Sequence, residues 1–137
     1  MSASQQQGKR MTPGVVYGSV LLWLRLEGLV VLLLAVYLYA RGGHPWGVFV
    51  ALFLLPDVSF AGYLAGPRAG ATVYNLAHNY VGPLVLAVAL LTTGAALMWA
   101  LIWAAHVGFD RALGYGLKYS TAFADTHLGR IGRRNRA

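Results

Sequence analysis

The segment IWAAHVGFDRALGYGLKY, Ile102 to Tyr119, places a histidine and an aspartate four residues apart, His106 and Asp110, at the end of an apolar run. On a helix that spacing puts both side chains on one face, one turn above the other. A single element then supplies two metal ligands, or one ligand and the carboxylate that orients it. Groups of the same chemistry lie in other apolar runs: Glu27, Asp57 and His78. The chain has no cysteine, so a bound metal must take nitrogen and oxygen ligands. Mixed imidazole and carboxylate donors suit a divalent zinc, manganese or iron ion better than soft metals such as Cu(I).

The elements that must hold these groups are unusually apolar. Of 137 residues, 58% are hydrophobic and 11% charged, whereas about a quarter are charged in a soluble domain. A chain this short cannot hide that much apolar surface inside a soluble fold. It reads as an all-α integral membrane protein. Four segments approach the ~20 residues needed to cross the hydrocarbon core: Ser19 to Ala40, Pro45 to Leu64, Ala71 to Leu91, and Ala95 to Ala112. Pro45 suits a first helical turn, and AGPRAG and TTG mark turns. Gly62, Gly66 and Gly70 stand four apart, which permits close helix approach, while Pro67 between them favours a tight turn. In the third segment Gly82-Pro83 predicts a kink, since proline removes a backbone hydrogen bond; the alternative is a break there that leaves a re-entrant piece.

These spans predict a four-helix transmembrane bundle over residues 15–119, after a polar, disordered start at 1–14 and before a basic tail at 120–137. Four crossings put both termini on one side, together with Lys9, Arg10, Arg68, Arg111, Lys118, Arg130, Arg133, Arg134 and Arg136, against Arg41 alone on the other. The excess of lysine and arginine makes the terminal side cytoplasmic, and the expected location is the bacterial inner (plasma) membrane, multi-pass. The net charge of +7 flanks apolar segments and forms no folded basic face, which argues against nucleic acid. The lipid bilayer is the partner, with anionic headgroups drawn to the basic tail, read as a loosely helical segment on the membrane surface. Monomer and homodimer both remain open.

Ionisable groups inside a span are costly unless paired or ligated, so depth matters. Glu27, Asp57, His78 and His106 each lie roughly six to eight residues from the cytoplasmic end of their segment, about 9–12 Å deep at 1.5 Å per residue. All four helices therefore bring a polar group to one layer, with Asp110 a turn nearer the water. Tyr74 and Asn75 share the face of His78 and are candidates to support it. Asp125 and His127, in the tail, either complete the site by folding under the bundle or remain solvated. Asp110 has a second reading, as an interface partner of Arg111 or Lys118, and His44 reads as an ordinary exposed histidine.

RLEG in the first span, LLPDVSFAGYLAGPRAGATVYNLAHNYVGP across the middle, and IWAAHVGFDRALGYGLKY with THLG near the end resemble the bacterial domain-of-unknown-function 4260 family, from about Leu22 to Gly129. A weaker likeness links Leu-Pro-Asp and the later His-x-x-x-Asp to membrane-bound metal-dependent hydrolases related to zinc phospholipase C. That comparison implies that Asp57, His106 and Asp110 are metal ligands. The chain departs from it at Ser59, where those hydrolases often carry a second acid, and at Asn79-Tyr80 after His78.

The function these groups suggest is a membrane-embedded metal-dependent hydrolase acting on a lipid or lipid-linked ester. Asp57, His78, His106 and Asp110 would hold the metal, and Glu27 would serve as general base, its carboxyl raised toward the working range by apolar surroundings. The alternatives are a di-iron-type oxidase, which normally uses Glu-x-x-His pairs that this chain lacks, a proton or ion relay, and haem held between His78 and His106.

Overall fold

The computed structural model describes residues 14–132. The expected disordered start falls almost wholly outside that range, as do Arg133, Arg134 and Arg136.

Helix α1 spans Gly18–Arg41 and ends at Gly42-Gly43, with Arg41 in its last turn, where a cation suits the negative end of the helix. Its buried residues, Gly28, Ala35 and Tyr39, are spaced to form one stripe. Around that stripe Leu22, Trp23, Val30, Leu33 and Leu34 are exposed, a continuous apolar surface that a soluble monomer would not show. The stripe packs against α5, Met98–Leu113, the two running antiparallel: Arg25 bonds Ala112, and Leu32 lies beside Gly108. A β-carbon at Gly28 would strike Arg111 and the backbone of Ala112, and one at Gly108 would strike Gly28 and Leu32. The two glycines thus let the backbones touch, the arrangement small residues permit between membrane helices.

The second apolar segment is not one uniform helix. It begins as α2, Trp46–Leu52, and continues as a 3-10 helix, Leu55–Ala65, with Pro56 and Asp57 in its first turn. Pro56 cannot donate a backbone hydrogen bond, and the tighter coil takes over at that point. The 3-10 helix packs on α3, Pro67–Ala77, with Gly66 in the turn between them and Gly62 set close against Gly70. Both readings of the glycine triplet therefore apply, to different members.

The third segment does break, but earlier than Gly82-Pro83. Helix α3 stops at Ala77, α4 starts at Val81 and runs to Thr93, and the two are bent by 41°. Pro83 falls in the first turn of α4, where its missing N–H costs nothing, and the Gly82 N–H donates to the Asn79 side chain (3.1 Å). The bend is therefore centred on His78.

Two helical stretches, Gly18–Arg41 and Trp46–Ala65, are long and apolar enough to cross a bilayer, or three when the bent pair Pro67–Ala77 and Val81–Thr93 counts as one. Helix α5 has 16 residues, about 24 Å, short of the ~30 Å hydrocarbon core. It starts three residues later than expected because Ala95 still belongs to the turn that follows α4.

The segment after α5 is not a loosely helical tail. β1, Asp125–Thr126, pairs antiparallel with β2, Gly129–Arg130, and an isolated antiparallel bridge joins Lys118 to Thr126, so a small β element departs from the expected all-α chain. Gly129 has φ +115°, a conformation that ends any helix, and Thr126 Oγ1 donates to the Gly129 carbonyl (2.6 Å). Lys118, Thr126 and Leu128 are buried, and the Val16 N–H donates to the His127 carbonyl (3.0 Å). The hairpin is thereby fixed against the start of the helical body.

Candidate metal centre

Three places in the fold meet at one point. Asp57 comes from the 3-10 helix, His78 from the bend between α3 and α4, and His106 and Asp110 from successive turns of α5. One ligand atom from each lies within 4.8 Å of all the others. His78 and His106 are fully buried and Asp110 nearly so, whereas the Asp57 side chain keeps 34% of its surface exposed. The group is closed on three sides and open at Asp57.

The tautomer of His78 is fixed by its surroundings. Its Nδ1 lies 3.0 Å from the Tyr74 carbonyl, which can only accept, so Nδ1 carries the proton and Nε2 presents a lone pair. The Tyr74 ring stacks on the imidazole at 3.7 Å, nearly parallel at 10°. His78 Nε2 then faces His106 Nε2 at 3.1 Å, Asp57 Oδ1 at 3.1 Å and Asp110 Oδ2 at 3.6 Å. His106 Nε2 lies 3.4 Å and 3.7 Å from the same two oxygens. A tetrahedral ion with ligand distances near 2.0–2.1 Å has edges of about 3.3 Å. The five separations bracket that edge, and the converging atoms are ordinary nitrogen and oxygen ligands. This buried Asp/His/His/Asp group can hold a metal ion. The same 3.1 Å separation leaves no space for a porphyrin between the histidines.

Two details bear on how firmly the ligands are held. Tyr74 donates its hydroxyl to Asp110 Oδ2 across a long 3.4 Å, so this side chain touches both a histidine and a carboxylate. His106 Nδ1 is buried with no hydrogen-bond partner among the described residues. A metal-bound histidine usually donates that proton to a carbonyl or carboxylate. His106 is positioned instead by its helix and by the edge of Phe53, with ring centres 5.3 Å apart.

Of the supporting residues expected from sequence, only Tyr74 joins the cluster. Asn75 instead clamps the C-terminal segment: its side chain donates to the Lys118 carbonyl (2.8 Å) and accepts the Lys118 N–H (2.7 Å). Asp125 accepts from Thr121 (2.7 Å) and stands 3.6 Å from Arg130. His127 accepts the Leu117 N–H at Nδ1 (2.9 Å). Both stabilise the hairpin. Glu27 is exposed, one residue before the buried Gly28, and does not belong to the group of ligand atoms. A step of one residue turns a helix by about 100°, so Gly28 faces α5 and Glu27 does not. His44 packs beside Tyr39, ring centres 5.1 Å apart.

Sequence reasoning missed two cations. Arg111, read as an interface partner of Asp110, is buried and donates from Nη2 to the His78 carbonyl (2.7 Å) and from Nη1 to the Tyr115 carbonyl (2.8 Å). It satisfies a carbonyl at the end of α3 that would otherwise lack a partner. Its place in a last helical turn gives no sign of this. Lys118 is buried with Nζ 3.7 Å from the Phe123 ring centre and 4.8 Å from that of Tyr74, and it donates to the Phe123 carbonyl (2.6 Å). Burial lowers its pKa below the usual lysine value.

The family described as "Domain of unknown function (DUF4260)" matches residues 21–131. No curated protein and no solved structure matches the chain, so the weaker likeness to hydrolases related to zinc phospholipase C gains no support from them. The match takes in Asp57, His78, His106 and Asp110 with every helix that carries them, and the chain belongs to the DUF4260 family.

Proposed function

We propose that this protein is a metal-dependent hydrolase of the bacterial inner membrane, a four-helix, multi-pass bundle with both termini cytoplasmic. His78, His106 and Asp110 hold one divalent ion, zinc or manganese ahead of iron. Asp57 stands at the open side of the site, as a fourth ligand or as the base that takes a proton from water. The observation that carries the reading is the group of four acceptor atoms, with five separations of 3.1–3.7 Å, exposed only at Asp57. When bound, such an ion brings the pKa of a water toward neutrality and polarises a phosphoryl or carbonyl oxygen. The apolar belt supports a lipid or lipid-linked ester as substrate. Glu27, exposed on α1, is too poorly placed for the base role its depth suggested.

The alternatives have less support. A di-iron oxidase would need more carboxylates than the two present here. A proton relay would need polar groups beyond the cluster, where α5 instead offers Ile102, Trp103 and Trp99.

The deciding experiment is elemental analysis of the purified protein beside His106→Gln, followed by hydrolysis assays on phospholipids and simple esters. The reading requires near-stoichiometric zinc or manganese and a hydrolysis that disappears with His106. Absence of any metal after reconstitution would sink it, and two irons per chain would turn it toward oxidation.

A further inference from the structure

Beside the cluster lies an apolar cavity of about 270 Å³, walled among others by Pro56, Ala77, Leu86, Trp99, Ile102 and Trp103. Its walls adjoin the ligands in sequence: Pro56 precedes Asp57, Ala77 precedes His78, and Ile102 stands one turn before His106. Trp99, Ile102, Trp103, His106 and Asp110 recur every three to four residues, so the cavity and the ligands share one face of α5. From Trp99 to His106 that face runs about 10 Å along the helix. The polar chain after Leu113 marks the opposite direction as the way to water, so the cavity extends from the cluster toward the middle of the bilayer.

The chemistry of the walls selects the occupant. No wall residue is charged, and the indole N–H of Trp103 already donates to the Ala77 carbonyl (2.6 Å). Only hydrocarbon and ring faces remain. The volume is just below the roughly 300–1,000 Å³ of pockets that enclose a whole small ligand, which fits part of one molecule. We propose that the cavity receives one hydrocarbon chain of a membrane lipid whose polar head reaches the cluster at Asp57. The inference rests on the hydrolase reading for the role of that head, and it names the substrate class as an acyl-chain amphiphile.

The test uses the full chain in lipid nanodiscs containing a phosphatidylglycerol with a photoactivatable diazirine in one acyl chain, and maps the cross-links by mass spectrometry. The expected result is labelling of Leu86, Trp99 and Trp103 that saturates as the probe fraction rises. Leu86→Trp should remove this saturable part with metal content unchanged, and Leu84→Trp, on the exposed side of α4, should leave it intact. If Leu86→Trp does not fold, saturation in the wild type alone decides. Labelling that rises linearly and equally on cavity residues and on exposed Leu33, Val50 and Val85 would overturn the proposal. Metal content of the same samples separates the two readings. Saturable labelling without metal keeps the chain site and removes the hydrolase, while metal without saturable labelling does the reverse.

Discussion

His78, in the bend between α3 and α4, and His106, on α5 and 28 positions further along the chain, turn their Nε2 atoms toward each other across 3.1 Å. Since His78 holds its proton on Nδ1, the contact requires either a further proton between the two Nε2 atoms, on His106 or as a second one on His78, or a cation between the rings. With a cation, the buried histidines and Asp110 form its main cage and Asp57 its exposed edge. His106→Gln should then weaken metal binding by more than the ~10–100-fold cost of altering a group that merely orients a ligand. Asp57→Asn should fall near the lower end of that range. Equal losses in a chelator competition would show that exposure does not grade the ligands.

Tyr74→Phe tests the orienting residue. The stacked ring and the backbone carbonyl under His78 remain, and only the 3.4 Å hydroxyl contact with Asp110 is removed. Because that bond is long, the expected effect is about a 10-fold loss of metal affinity, with the helical content by circular dichroism unchanged. No loss would mean that Asp110 needs no help from Tyr74.

Glu27→Gln should leave the metal content as it is in the wild type, because Glu27 is exposed and lies off the face that meets α5. A drop in bound metal would place Glu27 back in the site. The case shows what could be read from the sequence and what could not. Convergence was legible: counting residues from the segment ends brought Asp57, His78 and His106 to one level, the i, i+4 rule added Asp110, and these four meet in the fold. Direction around the helix was not legible for α1, because its outer surface is as apolar as its inner one and gives no stripe to orient by. The contact between Gly28 and Gly108 sets that rotation, and it becomes apparent only when the two helices are seen together. The bend at His78 was hidden for a related reason. Pro83 is the visible breaker, but it serves as a helix start, and the break is secured by Asn79, whose side chain accepts the Gly82 N–H, and by Arg111, whose partner, the His78 carbonyl, lies far away in sequence.

Gly108→Leu probes the crossing that aims α5. The new side chain would press on Gly28 and Leu32, where even a single β-carbon does not fit. Overpacking of this kind costs about 1–3 kcal/mol or more. The thermal midpoint in detergent should fall, and metal binding should weaken with it, since His106 and Asp110 ride on the same helix. Loss of stability with full metal affinity would show that the cluster does not depend on the crossing.

His127 makes the C-terminal hairpin sensitive to acid. Its Nδ1 accepts the Leu117 N–H, which requires the neutral ring, and burial with Arg111 nearby lowers its pKa below 6.5. A base whose folded pKa lies below its unfolded value contributes stability that is complete above the unfolded pKa and lost as pH falls through the folded one. The hairpin should therefore be best protected above pH 6.5 and should loosen below it. Hydrogen exchange of the Leu117 amide, corrected for its intrinsic pH dependence, measures this. Protection should drop on acidification in the wild type and stay flat in His127→Gln, whose amide oxygen can accept the same bond without titrating. The same acid transition in both proteins would assign it to another group.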